Sequence, residues 1–175
     1  RLFLGSYLAG ERQAAAQRLE FYAVSLEGAL DRYEALPWLL ALERGLAKLL
    51  DQPADPARRQ AANRYLETAQ GDAAIAAAYL IDLSGQTLAA SNWNQPRSFV
   101  GQNYAFRPYF RSAIDGQLGR FYGVGATTGE AGYFLAAPLR SGERIAGAVT
   151  IKVSLDAFEQ ALEHSGDRVL LADAD

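Results

Sequence analysis

Side chains that could bind a small anion are concentrated between residues 103 and 153 of this 175-residue chain. Arg107 lies in an aromatic-rich segment, the adjacent threonines Thr127 and Thr128 follow in a glycine-rich stretch, and Lys152 stands in an apolar run. Guanidinium, ammonium and hydroxyl groups all donate hydrogen bonds to carboxylates. Because the chain carries a net charge of −3, a local group of cations predicts a site for a specific small anion.

The environment of Lys152 depends on the strand that carries it. Side chains alternate between the two faces of a strand, so Lys152 points away from the face shared by Ile151 and Val153. If the short helix predicted nearby covers that face, the ammonium needs an anionic partner, since an unpaired buried charge is costly. The alternative is a lysine on the solvent face of an edge strand.

Several classes of function are disfavoured by composition. Half of the residues are hydrophobic and 21% are charged, as in ordinary globular domains, and the acidic balance disfavours nucleic acid. Cysteine is absent and His164 is the single histidine, so no metal or cofactor is expected. No G-x-S-x-G motif is present, and the glycines of 123–129 lack a Walker lysine. A hydrolase or isomerase that uses Lys152 as a base remains a minor alternative.

The first third of the chain predicts helices. Residues 11–36 form a long helix whose apolar residues follow heptad spacing: Ala15, Leu19, Tyr22, Leu26, Ala29, Tyr33 and Leu36. This stripe packs either on its own domain or against a dimer partner, and part of it should lie outside the domain core. The short apolar segment 1–10 is either the end of a preceding membrane helix or the first turns of this one. Pro37 should separate it from a second helix over 39–51, and Asp55 should cap a third.

The remainder predicts a sheet. Strands are expected at 75–83, 86–91, 119–126, 132–140 and 144–155, with a short helix over 104–115, which together give an α+β domain with one five-stranded antiparallel sheet. Residues 155–164 predict a further helix and 168–172 the start of another strand. The chain therefore divides into a helical region (1–72), a sheet unit (73–156) and the beginning of a second unit (157–175).

Six segments carry a family resemblance. They are Ser-Asn-Trp-Asn (91–94), Phe-Val-Gly-Gln-Asn-Tyr-Ala-Phe-Arg-Pro-Tyr-Phe (99–110), Gly-Arg-Phe-Tyr (119–122), Thr-Thr-Gly (127–129), Gly-Tyr-Phe (132–134) and Ile-Lys-Val-Ser-Leu (151–155). Together they resemble the periplasmic sensor domain of C4-dicarboxylate sensor histidine kinases of the DctB type. The resemblance implies a double Cache (tandem PAS-like) fold whose membrane-distal unit, here 73–156, binds the ligand. It also implies a homodimer joined through the N-terminal helix and a parent protein anchored in the inner membrane.

The resemblance also implies which residues form the site. They are Tyr104, Phe106, Arg107, Tyr122, Thr127, Thr128, Tyr133 and Lys152. Arg107 and Lys152 should face one shared cavity and each take one carboxylate of succinate, malate or fumarate. Phe106 and Tyr122 would line the aliphatic middle, and the hydroxyl groups would donate hydrogen bonds. The domain is then a reversible binding module and not an enzyme.

One alternative within the same class is a Cache sensor of a chemoreceptor or cyclase that binds an amino acid or a monocarboxylate. Lys152 stands where an aspartate would be needed to hold an α-ammonium group. This position therefore favours a second carboxylate on the ligand.

Overall fold

Helices fill the first half of the chain and most strands follow in the second. The structure, a computed structural model, describes the backbone of residues 2–156 and the side chains of residues 10–156. The helices are α1 (Leu2–Asp31), α2 (Leu36–Leu40), α3 (Arg44–Asp51), α4 (Pro56–Ala73) and α5 (Pro108–Ile114), and the strands are β1 (Ala77–Asp82), β2 (Thr87–Ala90), β3 (Gly119–Val124), β4 (Ala131–Ser141) and β5 (Arg144–Ser154). His164 and the elements predicted beyond residue 156 lie outside the described residues.

The five strands form one antiparallel sheet in the order β2-β1-β5-β4-β3. The predicted α+β class and five-stranded sheet are confirmed. β3, β4 and β5 form a meander, and β1 pairs with the free side of β5, which places β5 at the centre of the sheet. Lys152 therefore lies between Ala77 of β1 and Phe134 of β4. The alternative of an edge-strand lysine is wrong.

The two faces of the sheet pack against different layers. On one face, leucines of α3 and α4 meet the side chains of alternate strand positions, including Ile151 and Val153. On the other face, α5 and the segment before it cover a second cluster that includes Tyr79, Phe134 and Ala148. Lys152 belongs to this second face because it alternates with its neighbours. Helix α5 thus covers the face that carries the ammonium.

Helix α1 begins earlier and ends earlier than the predicted helix over 11–36, and two short helices follow it. The predicted helix over 39–51 is divided into α2 and α3. The Glu43 side chain caps the start of α3, because it accepts a hydrogen bond from the Gly45 backbone N–H. Pro37 lies in the first turn of α2, where a missing N–H costs nothing. Asp55 caps α4 as predicted, accepting from the N–H groups of Ala57 and Arg58.

Helix α1 leaves apolar side chains exposed, as its heptad spacing predicts. Leu19 is 56% exposed, Tyr22 and Leu26 are half-buried, and only Tyr33, just beyond the helix, is buried in the core. The opening residues continue directly into α1. Among the helices described, none is both long and apolar enough to cross a membrane. The dimer seam and the division at residue 72 stay predictions.

A single glycine permits α5 to approach the sheet. An added Cβ at Gly119, the first residue of β3, would collide with the backbone carbonyl of Tyr109. Gly119→Ala should therefore lower the free energy of unfolding by about 1–3 kcal/mol, at the upper end because the obstacle is backbone. Urea denaturation measures this loss. Gly71→Ala, on an open face of α4, is the control and should stabilise the domain by up to about 1 kcal/mol; equal effects of the two variants would contradict the packing argument.

Candidate anion-binding site

The ammonium of Lys152 is buried and is held by two side chains of the β3–β4 turn. The lysine is 2% exposed, and its Nζ donates to Thr128 Oγ1 at 3.0 Å and to Glu130 Oε2 at 3.2 Å. A Cβ at Gly132, on the neighbouring strand, would lie 2.7 Å from Lys152 Cε. Glycine at this position lets the lysine stem lie flat across β4, and so directs the ammonium toward the turn.

The turn over residues 125–130, called here the β3–β4 turn, is where the candidate donors meet. Backbone hydrogen bonds close it, from Gly125 N to Glu130 O and from Gly129 N to Gly125 O. Thr127 Oγ1 lies 2.5 Å from the Tyr104 hydroxyl. Side-chain hydrogen bonds thus connect the turn to Lys152 and to the segment before α5.

Arg107 reaches the same turn from its other end. Its guanidinium donates to Val124 O at 2.8 Å and lies about 5 Å from the ring centroids of Phe106 and Phe121. Pro108 follows Arg107 at the start of α5, and Arg107 adopts the extended backbone that a following proline favours. Because Val124 immediately precedes the turn, Arg107 holds its start, while Lys152 contacts Thr128 and Glu130 near its end.

A group of neutral phenols lies beside Arg107. The hydroxyls of Tyr79 and Tyr109 are 2.8 Å apart in the core. Burial raises the pKa of Tyr104, although the hydrogen bond to Thr127 and the nearby Arg107 act in the opposite direction. Burial also raises the pKa of Tyr79 and of Tyr109. All three are therefore uncharged at neutral pH, and Tyr104 can donate a hydrogen bond.

A cleft of about 190 Å³ lies beside Lys152. Its wall includes Thr128 of the turn and three residues that no sequence pattern identified, Glu130, Arg97 and Asn92. Arg97 donates to Thr128 O at 3.0 Å, while the amide of Asn92 bonds both Arg97 O and Phe99 N and so fixes the loop. The cleft is smaller than the roughly 300–1,000 Å³ of sites for drug-sized ligands. A compact anion suits this space.

The structure brings together six of the eight predicted site residues. Tyr104, Thr127, Thr128, Arg107 and Lys152 surround the β3–β4 turn, while Phe106, 53% exposed, supports Arg107 instead of lining the cleft. Arg107 itself is not among the residues that line the cleft.

Tyr122 and Tyr133 occupy the opposite face of the sheet. They are paired across β3 and β4, and Tyr133 packs against the cluster covered by the helical layer. Their hydroxyls and rings are therefore separated from Lys152 by the sheet itself. Within the described residues, no group of three His, Cys, Asp or Glu side chains could hold a metal ion.

The chain is similar to known sensor proteins in sequence and in fold. No family model matches the sequence. The chain is 40% identical over 157 residues to the C4-dicarboxylate transport sensor protein DctB of Pseudomonas aeruginosa and 33% identical over 148 residues to that of Rhizobium meliloti, matches that cover 90% and 85% of this chain. The crystal structure of the V. cholerae histidine kinase DctB sensor domain superposes with a TM-score of 0.80 and 36% identity, over 85% of this chain and 57% of that one.

The chain belongs to the DctB sensor family. It spans only 26% and 24% of the length of the two curated DctB relatives. The region shared with the V. cholerae DctB structure is a sensor domain, which is a binding module. The α+β fold with a long N-terminal helix and a five-stranded sheet is the fold of DctB sensor domains.

Proposed function

We propose that this domain reversibly binds a C4-dicarboxylate, such as succinate, malate or fumarate, at the β3–β4 turn and makes or breaks no covalent bond. The observation that carries the proposal is the buried Lys152 ammonium, which faces a cleft on the α5 side of the sheet. The names of the two curated relatives, both C4-dicarboxylate transport sensor proteins, agree with that ligand class.

The burial of Lys152 supports a binding role over a structural one. A charge buried in a sheet interior loses its hydration, whereas a hydrophobic residue of similar size avoids that loss. The protein neighbours supply one neutral hydroxyl and one carboxylate that is itself largely exposed. An ammonium has three donors, so a ligand carboxylate in the cleft would find a strong partner.

A dicarboxylate also needs a second cationic site. Arg107 contacts the first end of the same turn, and Arg97 lines the cleft. A guanidinium can bind a carboxylate through two parallel hydrogen bonds. We assign the second carboxylate to Arg107, with Tyr104 and Thr127 as hydroxyl donors, because Arg107 is half-buried and fixed between two rings whereas Arg97 is exposed.

A path from the site to α1 supports a role in signalling. Strand β3 ends at the turn, and its Arg120 forms a 2.7 Å ion pair with Glu34, just beyond α1. The hydrogen bond from Arg120 lowers the pKa of Glu34, so the pair is present at neutral pH. A shift of the turn on ligand binding would move β3, and the ion pair would transmit this movement to the end of α1. In this proposal the domain lies in the periplasm, dimerises through α1 and controls a histidine kinase anchored in the inner membrane.

Calorimetric titration and thermal unfolding test the ligand class. Succinate, malate or fumarate should raise the unfolding midpoint, because a ligand that binds only the folded state stabilises it by about 2.7 kcal/mol at a hundredfold excess over Kd. Butyrate, which has the same chain length and one carboxylate, is the matched control and should have little effect. Alanine and leucine test the amino-acid alternative; a shift with either, and none with a dicarboxylate, would show that the ligand class is wrong.

A further inference from the structure

The ion pair between Lys152 and Glu130 is strongly asymmetric. The two groups are 3.2 Å apart, but the lysine side chain is 3% exposed while that of Glu130 is 71% exposed. The acidic partner thus approaches the ammonium from the solvent side, along the wall of the cleft. A ligand carboxylate that enters the cleft must take the same side of the ammonium.

Glu130 can leave this position when a ligand carboxylate replaces it, and Lys152 cannot. The backbone of Glu130 closes the turn through the bond from Gly125 N, and this bond does not involve the side chain. Rotation of the side chain, which is 71% exposed, moves the carboxylate into water, where it is hydrated. Lys152, in contrast, is fixed by the central strand and lies across Gly132.

We propose that Glu130 is an intramolecular competitor that occupies the ligand-carboxylate position at Lys152 and sets the affinity of the site. The inference rests on the proposed function and goes beyond it. When the cleft holds no ligand, Glu130 neutralises the buried ammonium, so the site does not carry an unpaired charge. Binding exchanges one carboxylate for another at Lys152. The apparent Kd is therefore the intrinsic Kd divided by the fraction of molecules in which Glu130 has left the ammonium.

Two variants at this position separate competition from simple charge repulsion. Glu130→Gln removes the charge and keeps the shape. Glu130→Asp keeps the charge but withdraws it by about 1.5 Å, the length of one carbon–carbon bond, from a contact that is already 3.2 Å. Glu143→Gln is the matched control. It removes the same charge in the turn between β4 and β5, nine strand residues from Lys152 and so roughly 30 Å away.

Calorimetric titration with succinate decides between competition and charge repulsion. We expect Kd to fall about three- to fivefold in Glu130→Gln, the effect of a partly exposed ion pair. Kd should fall in Glu130→Asp as well, with Glu143→Gln within twofold of the parent. Binding by Glu130→Gln where the parent binds no succinate also supports competition. If only Glu130→Gln tightens binding, charge repulsion is the cause and the proposal is overturned.

The remaining outcomes distinguish this inference from the ligand assignment. An unchanged or raised Kd in Glu130→Gln, with succinate binding by the parent, overturns the competitor and leaves the proposed function standing. Failure of the parent and of Glu130→Gln to bind any C4-dicarboxylate overturns both.

Discussion

Lys152→Met should weaken succinate binding by about 30-fold or more without unfolding the domain. The variant keeps the unbranched stem that lies across Gly132 and removes the charge. A ligand carboxylate would then be buried without its partner, a loss that typically costs about 2–5 kcal/mol. The free energy of unfolding should be unchanged or slightly higher, because replacing a buried charge by an apolar side chain is often neutral or stabilising. Titration and urea denaturation measure the two quantities.

The sequence provides its own control for this variant. Lysine occurs at only two positions, 48 and 152, and Lys48 is exposed on α3, on the opposite side of the sheet. Lys48→Met makes the same chemical change and should leave the affinity for succinate within twofold. Lysine labelled with 13C at Cε gives signals from these two residues alone, and succinate should move the Lys152 signal only. If Lys152→Met binds succinate as tightly as the parent protein, Lys152 is not part of the binding site.

The orientation of Lys152 could be predicted from the sequence because alternation along one strand is a local property. An apolar residue on each side of the lysine is enough to place its ammonium on the opposite face. That the lysine is buried was not predictable, since it depends on β1 pairing with β5, a contact between segments about 70 residues apart in the chain. Its burial became visible only with the strand order.

The positions of Tyr122 and Tyr133 show the limit of the same rule. Alternation separates Tyr133 from Phe134, but it does not say which of the two shares a face with Lys152. The register pairs Lys152 with Phe134, so the tyrosine lies on the far face. A shift of one residue between β4 and β5 would reverse this assignment. Site residues on neighbouring strands therefore could not be chosen from sequence patterns alone.

Arg97 and Glu130 were missed for a different reason. Both lie in segments that predict turns and loops, where no periodicity fixes the direction of a side chain. A charged residue within a glycine-rich turn next to candidate donors was the available signal for Glu130. For Arg97 the decisive contact is to Thr128 O, a residue 31 positions away. Only the folded loop, held by Asn92, reveals it.

Arg107→Ala should reduce the affinity for succinate at least tenfold, which corresponds to about 1.4 kcal/mol or more. The guanidinium would hold the second carboxylate through two hydrogen bonds, and its loss leaves that charge poorly paired. Arg107→Lys should not restore binding, because a single ammonium cannot reproduce the planar contacts with Phe106 and Phe121. Thr128→Ala removes one neutral donor and should cost only about 0.5–1.5 kcal/mol. Titration with succinate ranks the variants.

The 13C signal of Lys152 shows whether Arg107 contacts the ligand or only anchors the turn. Arg107 donates to Val124 O, so its removal could loosen the turn and displace Thr128 from Lys152. The 13C signal of Lys152, recorded without ligand, reports such a displacement. We expect it to stay at the parental position in Arg107→Ala. The control is Arg111→Ala, which removes an exposed arginine of α5, the helix that follows Arg107. A moved Lys152 signal together with weaker binding would make Arg107 an anchor of the turn and leave the second carboxylate to Arg97.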